Sequence, residues 1–457
     1  MLFHSWTFIL FFVLVYFLFS LKDSSVWKRN IILIASFIFY GYFNPLYLLV
    51  LLWVIVFDYY IVAAMNRSKN KKIFLLLSII NVILIFSVFK YSRLIISAIN
   101  ELFNALGYGY SLTEPDMILP VGISFFLLVS LGNTIDLYYD RVEKAKSIFH
   151  YASFISFFPS LLSGPIERGY RLIPQIEKWQ KIKMGDFFDG SYLFLLGVFK
   201  KVALADYFKL YADSIFGNPS NFTSIDLICG AIAFTWQIYF DFSGYTDMAR
   251  GIAKTLSIDL TDNFNLPYIA SSTGDFWRRW HISLSSWFRD YLYIPLGGNR
   301  KGESKEIRNI FISMIVSGLW HGASLNFIFW GFIHGVVHSM SKIFKRIKYM
   351  SKIPLWIKRI FVFMIIVFTW IFFRSNNIAD GFIFVERIFT TNFTLPQIPL
   401  YMIFLILVSY IFQWLKEYKK IGFIENGYFK VLASCFMIVY LLLLVSNGQG
   451  EFIYFQF

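Results

Sequence analysis

The stretch Asn309–Ser341 contains no Lys, Arg, Asp or Glu, and this run limits the fold more than any other feature. An uncharged apolar stretch of about 18 residues or more reads as a membrane segment. In hydrocarbon the backbone must satisfy its own polar groups, which a helix does. This run is longer than the roughly 20 residues that one crossing needs. It is also bounded by cations on both sides: Arg300, Lys301, Lys305 and Arg308 before it, and Lys342, Lys345, Arg346 and Lys348 after it. Basic residues collect on the cytoplasmic side, so both flanks read as inside. The run then enters and returns, turning at His321-Gly322-Ala323-Ser324. Its first arm, Asn309–Trp320, would reach about 18 Å, which sets His321 within the membrane. The competing reading is one long tilted span with one flank outside.

Other stretches repeat the pattern. Met1–Leu21 and Ile73–Phe89 carry no charge either. The first lacks a basic leading region and its apolar part is long, so it reads as a retained span rather than a cleaved signal. Basic clusters at Lys22, Lys28, Arg29 and at Arg67, Lys69, Lys71, Lys72 bracket Ile31–Phe43 and Leu46–Ala64. One crossing out and one back fits, with the N-terminus outside. Arg141, Lys144 and Lys146 fit after two more crossings. Tyr151–Ser163 breaks the series. It reaches only about 20 Å, short of the roughly 30 Å core, and both its flanks are basic. It reads as re-entrant or interfacial, which is tolerated only where the segment is buried in protein or lines a cavity. Further spans are expected at Tyr192–Phe199 (extended toward Ala205), Ile225–Phe242, Pro354–Phe373, Tyr401–Leu415 and Val431–Val445. The predicted fold is all-α: a polytopic membrane protein of about 11 membrane segments including re-entrant hairpins. The chain has no internal repeat and reads as one domain over residues 1–457.

Composition agrees and excludes several classes. Only 15% of residues are charged while 57% are apolar, against about a quarter charged in soluble domains. The net charge of +14 is explained by basic inside loops, or by attraction of an anionic donor or lipid. Nucleic-acid binding is disfavoured because the basic residues lie in short, scattered loops. Two cysteines, Cys229 and Cys435, form neither a disulfide framework nor a zinc pattern. A serine-hydrolase elbow and a phosphate-binding P-loop are both missing. A lipid-linked sugar transporter would call for paired half-repeats, which the chain lacks.

Ionisable residues within spans are functional candidates because they are costly there. Asp241, Asp247 and Arg250 share one apolar neighbourhood, either as a helix end closed by an Asp–Arg pair or as part of a site. Trp277, Arg278, Arg279, Trp280 and His281 are packed together. They read as interfacial belt residues, or as an Arg pair that holds a phosphate or carboxylate. Of the six histidines, His4 and His150 lie near membrane edges. His334 and His338 have the spacing of a metal pair, but no third ligand is near in sequence, so no metal site is expected. His321 lies in Ser317-Gly318-Leu319-Trp320-His321-Gly322, flanked by small residues that admit a close approach. An imidazole there stays neutral and can act as a base, or it is structural.

In this order the motifs resemble the membrane-bound O-acyltransferases. PVGISFFLLVSLGNTIDLYYDR (Pro120–Arg141), FFPSLLSGPIERGYRLIPQI (Phe157–Ile176), Tyr239–Arg250, DFWRRWHISLS (Asp275–Ser285) and SGLWHG (Ser317–Gly322) follow the family order. TWIFFRS (Thr369–Ser375) and the tail FIYFQF (Phe452–Phe457) resemble its bacterial, alginate-type, polysaccharide-acetylating branch. The resemblance implies a ring of tilted helices around a thinned centre, with a tunnel joining the two membrane faces. His321 matches the catalytic histidine, as a base or a covalent relay, and His281 matches the second motif position. Asp241, Ser243, Trp277, Arg278, Arg279, Trp320 and Asn326 are implied as substrate-binding. No bound cofactor is implied. The donor would be a cytoplasmic acyl thioester, with acetyl-CoA favoured, and the acceptor an extracytoplasmic polysaccharide in a bacterium whose inner membrane holds the protein. The implied partners are an exported or membrane-anchored transferase of the SGNH-hydrolase type and, in the rival reading of D-alanyl transfer to teichoic acid, an acyl-carrier protein.

Overall fold

The computed structural model describes residues 1–115, 119–344 and 352–444, which form helices and connecting turns; no strand occurs among the described residues. Lys345, Arg346, Lys348, Val445 and the tail motif Phe452–Phe457 lie outside them. The chain divides into two compact units, Met1–Phe194 with Met248–Thr261, and Leu195–Asp247 with Asp262–Phe457.

The first unit holds α1 (Trp6–Ser20), α2 (Ser25–Gly41), α3 (Tyr47–Arg67), α4 (Lys71–Phe89), α5 (Ser92–Ala105), α6 (Ile123–Tyr138), α7 (Ile148–Ile155), α8 (Phe158–Leu161), α9 (Gly169–Glu177) and most of α10 (Met184–Phe199). The short apolar segment Tyr151–Ser163 forms α7 and α8, broken at Ser156 and Phe157. It is buried along nearly its whole length, as a segment too short to cross must be. The break leaves the Phe158 N–H without a helical acceptor, and it donates to Ser36 Oγ of α2 at 3.1 Å. A second polar point lies on α3. The Asp58 carboxylate accepts from Ser78 Oγ of α4 at 2.9 Å and from Ser130 Oγ of α6. Ser130 also meets the Tyr151 hydroxyl at 2.8 Å. A carboxylate this deep is tolerated because donors surround it.

The second unit opens with the end of α10 from Leu195, then a π-helical turn, Lys200–Ala205, α11 (Asp206–Gly217) and α12 (Ser224–Thr255), which belongs here as far as Asp247. Then come α13 (Thr273–Arg279), α14 (Ile282–Phe288), α15 (Glu303–His321), α16 (Leu325–Phe344), α17 (Leu355–Arg374), α18 (Ile378–Thr390), α19 (Leu400–Glu417) and α20 (Gly427–Leu444). The long uncharged run is a helical hairpin, α15 against α16. Its arms touch backbone to backbone: a Cβ on Gly318 would stand 2.2 Å from the Phe327 carbonyl oxygen, and one on Gly331 2.4 Å from that of Met314. The first arm is longer than the uncharged run suggests. It starts at Glu303, so it rises about 28 Å rather than about 18 Å. The cause is local: Gly302 has φ 89°, which ends the preceding turn, and Glu303 and Glu306 occupy the first helical turn, where acidic side chains are favoured.

Five helices among the described residues, α3, α4, α12, α17 and α19, are long and apolar enough to cross a membrane, and α1, α6 and α20 are shorter apolar helices. Their outward faces carry large bare side chains, including Leu10, Phe17, Trp53, Leu84, Phe361 and Phe404. Soluble monomers avoid apolar patches of this extent, and lipid solvates them. The apolar stretch of α19 is 11% buried, whereas that of α12 is 78% buried. So α12 is an interior helix, and polar groups on it face protein rather than lipid.

Candidate active site

His321 is the last residue of α15 and is buried, 4% exposed. Rings close around it. The Trp320, Trp330 and Phe373 centroids lie 4.9, 5.1 and 5.4 Å from its own, all edge-to-face. Trp330 comes from the facing arm and Phe373 from the last turn of α17, so the hairpin and α17 together build the cage. The turn that ends α15 is fastened to α17 by Asn326. Its Nδ2 donates to the Ser375 carbonyl at 2.8 Å and to that of Phe372 at 3.4 Å, while Ser324 Oγ donates to its Oδ1. Two of the sequence motifs, SGLWHG and TWIFFRS, thus meet at one place.

His281 lies in the tight corner between α13 and α14 and is fully buried. Its ring stands edge-to-face on Phe242 of α12 at 4.6 Å, and 6.0 Å from Trp320. Trp320 therefore touches both histidines. Burial pushes the His281 imidazole down to about 3, so it is neutral at pH 7. The residue has φ 43° and ψ 57°, a left-handed conformation that costs a side chain with a Cβ about 1–2 kcal/mol. Asn263 holds the corner open: its carbonyl accepts from Ile282 N–H at 3.0 Å and its Oδ1 from Ser283 N–H at 3.1 Å. At this position glycine should exceed alanine. His281→Gly is expected to be about 1 kcal/mol more stable than His281→Ala, measured by thermal unfolding in detergent. Equal stability of the two would show that the corner is unstrained.

The remaining predicted residues separate into two groups. Trp277 belongs with the cage, its ring 5.8 Å from Trp330 and 5.0 Å from His334. Asp241 and Ser243 are buried on α12 on either side of Phe242. Asp241 is ion-paired with Lys201 of the π turn at 2.7 Å, and Lys201 also reaches Asp206 at 2.8 Å. Asp247 pairs with Lys200 at 2.6 Å. The carboxylates of this stretch are thus met by lysines of the π turn. The Arg pair is split. Arg279 makes a two-pronged bond to Glu417 of α19 at 2.9 and 3.1 Å and another to Asp275 at 3.0 Å. Arg278 is 71% exposed and 3.5 Å from Asp275. His334 and His338 face different neighbours. His334 packs between Trp277 and Trp330, and His338 Nδ1 lies 3.3 Å from Thr273 Oγ1. Sequence reasoning misses Lys201, Asn263 and Trp330. For Lys201 a sign existed, a charge within an apolar stretch; for Asn263 there was none.

A family model described as MBOAT, membrane-bound O-acyltransferase family, matches residues 138–377, a span that includes both histidines and the whole cage. A protein named "Probable alginate O-acetylase AlgI" from Pseudomonas syringae pv. tomato is 37% identical over 361 residues, 77% of this chain and 68% of that one. The chain belongs to the membrane-bound O-acyltransferase family. Its similarity runs to the alginate O-acetylase branch, and it is an enzyme of the O-acetyltransferase type, a multi-pass membrane protein that needs an acyl donor as co-substrate. A peptidoglycan O-acetyltransferase of Helicobacter pylori is 33% identical over 381 residues, covering 77% of this chain and 71% of its own length. A teichoic acid D-alanyltransferase of Bacillus subtilis is 32% identical over 206 residues, 42% of this chain and 51% of that one.

Proposed function

We propose that this O-acyltransferase moves an acetyl group from a cytoplasmic thioester, with acetyl-CoA favoured, to hydroxyls of an extracytoplasmic polysaccharide. The observation that carries this reading is the aromatic cage that sets His321 beside His281 across Trp320. His321 takes the proton of the acceptor hydroxyl. The freed oxygen forms the new ester bond at the carbonyl carbon, the C–S bond breaks, and the thiolate leaves with the proton returned by the imidazolium. His281, neutral and held by a strained corner, orients the acceptor or meets charge developing on the carbonyl oxygen. Trp277, Trp320 and Ser243 line the acceptor path. Asp241, Arg279 and Asn326 hold the frame through their ion pairs and hydrogen bonds, and exposed Arg278 meets an anionic part of the donor. The edge-to-face rings exclude water, which favours transfer over hydrolysis.

An exported or membrane-anchored SGNH-hydrolase-type transferase would receive the acetyl group beyond the inner membrane. The coverage of the relatives supports acetyl over D-alanyl: the acetyl-transferring ones match most of this chain, the D-alanyl one less than half. The test is a chain deletion in the native bacterium, with ester-linked groups on purified surface glycans quantified by NMR. O-acetyl esters are expected to fall to background while D-alanyl esters hold. Loss of D-alanyl ester alone would transfer the assignment to the carrier-dependent reaction, and no change in either would overturn it.

A further inference from the structure

Within the first unit, the junction of α9 with α10 and the end of α12 border a partly open cavity of about 360 Å³ that contains none of the residues assigned above to acyl transfer. Its lining includes Lys178, Lys183 and Lys254 against Asp186 and Asp259. Among the described residues, none of the three lysines is ion-paired. Three ammonium groups against two carboxylates leave the lining with an excess positive charge, which an anion relieves.

The frame that presents them is preformed. Gln175 accepts from the Asp259 N–H at 2.9 Å and donates to its carbonyl at 3.1 Å. Trp179 Nε1 donates to the Leu256 carbonyl at 2.7 Å, and Lys28 Nζ to that of Gln180 at 3.0 Å. The helices themselves are locked: a Cβ on Gly190 of α10 would stand 2.7 Å from the Gly251 carbonyl oxygen of α12. A rigid rim with flexible lysine heads suits a ligand that gains charge contacts without having to order a loop.

Size and polarity narrow the ligand. The volume lies at the lower end of the roughly 300–1,000 Å³ of small-molecule sites, more than a bare phosphate ion fills. Lysines bind phosphate as point charges, while Asp186 and Asp259 accept from hydroxyl or amino groups. Lys254 lies in the last turn of α12, a helix long and apolar enough to cross a membrane. The cavity is therefore at the end of a span, where anionic headgroups concentrate. We propose that it binds a phosphate ester bearing hydroxyl groups, supplied by an anionic phospholipid headgroup or by a soluble nucleotide. This does not rest on the assignment of His321.

The test uses the full chain purified in detergent, with two probes: phosphatidylglycerol, followed by native mass spectrometry, and ADP, followed by titration calorimetry. One probe is expected to bind one-to-one, and which one does so identifies the source. Affinity is expected to fall at least tenfold in K178Q/K183Q/K254Q and with rising salt, but not in K305Q, an exposed lysine of the other unit. Absence of saturable binding by both probes, or equal binding by the triple variant, overturns the proposal. Lysine methylation of the wild-type chain needs no variant. The bound probe should protect Lys178, Lys183 and Lys254 severalfold relative to Lys305, and uniform labelling overturns the site.

Discussion

His321→Ala is expected to leave a folded, membrane-inserted protein whose acetyl transfer falls by about 10²–10⁴. In the proposed reaction the imidazole accepts a proton from a hydroxyl, and among the described histidines His321 is the one that faces Trp320, Trp330 and Phe373 together. Truncation also leaves a void among three rings, so packing loss has to be separated from chemical loss. His321→Asn does so, because it keeps most of the volume and removes the base. Both variants should add no acyl ester to the cell's glycans while running as monodisperse protein after extraction. Normal O-acetyl content in either would remove His321 from the mechanism. An acetylated His321 trapped in a rapid-quench experiment would convert its role from base to covalent relay.

The second large effect concerns stability. Lys201 and Asp241 are each 3% exposed and 2.7 Å apart. Removing one partner of a buried pair costs about 3–5 kcal/mol, because the other charge stays behind without compensation. Lys201→Met should therefore destabilise the protein by about that amount in unfolding assays in detergent. Lys201→Met/Asp241→Leu should regain at least half of the loss. Asp206, the other acceptor of Lys201, is more exposed, at 17%, so the larger part of the cost falls on Asp241. A single variant within about 1 kcal/mol of wild type would mean that the pair is already solvated. Asp241 precedes Phe242, on which His281 packs, so transfer should be read beside stability. If the double variant regains stability but not transfer, Asp241 holds substrate. If it regains both, Asp241 acts through the frame alone.

Much of the fold was legible along the chain because the solvent is lipid. Hydrocarbon penalises every exposed charge, so charge-free runs and basic flanks mark the membrane segments without regard to tertiary contacts. That is how Asn309–Ser341 reads as a hairpin or one long tilted span, Tyr151–Ser163 as a re-entrant or interfacial segment, and His321 as a residue at the turn of that hairpin; the structure selects the hairpin and breaks the short segment at Ser156 and Phe157. The length of α15 was the exception, since its charged first turn obeys capping rather than hydropathy.

What only the tertiary structure decided is the partner of each buried polar or aromatic group. Arg279 reads as half of an anion clamp until Glu417, far along the chain, is found opposite it. Asp241 reads as a neighbour of Arg250 until the π turn delivers Lys201. Trp330 is one apolar-face tryptophan among many until the hairpin closes it over His321. Local pattern records how a residue suits its solvent. Which distant side chain fills the space beside it depends on how helices pack, and that information is distributed over the whole sequence rather than written at either position.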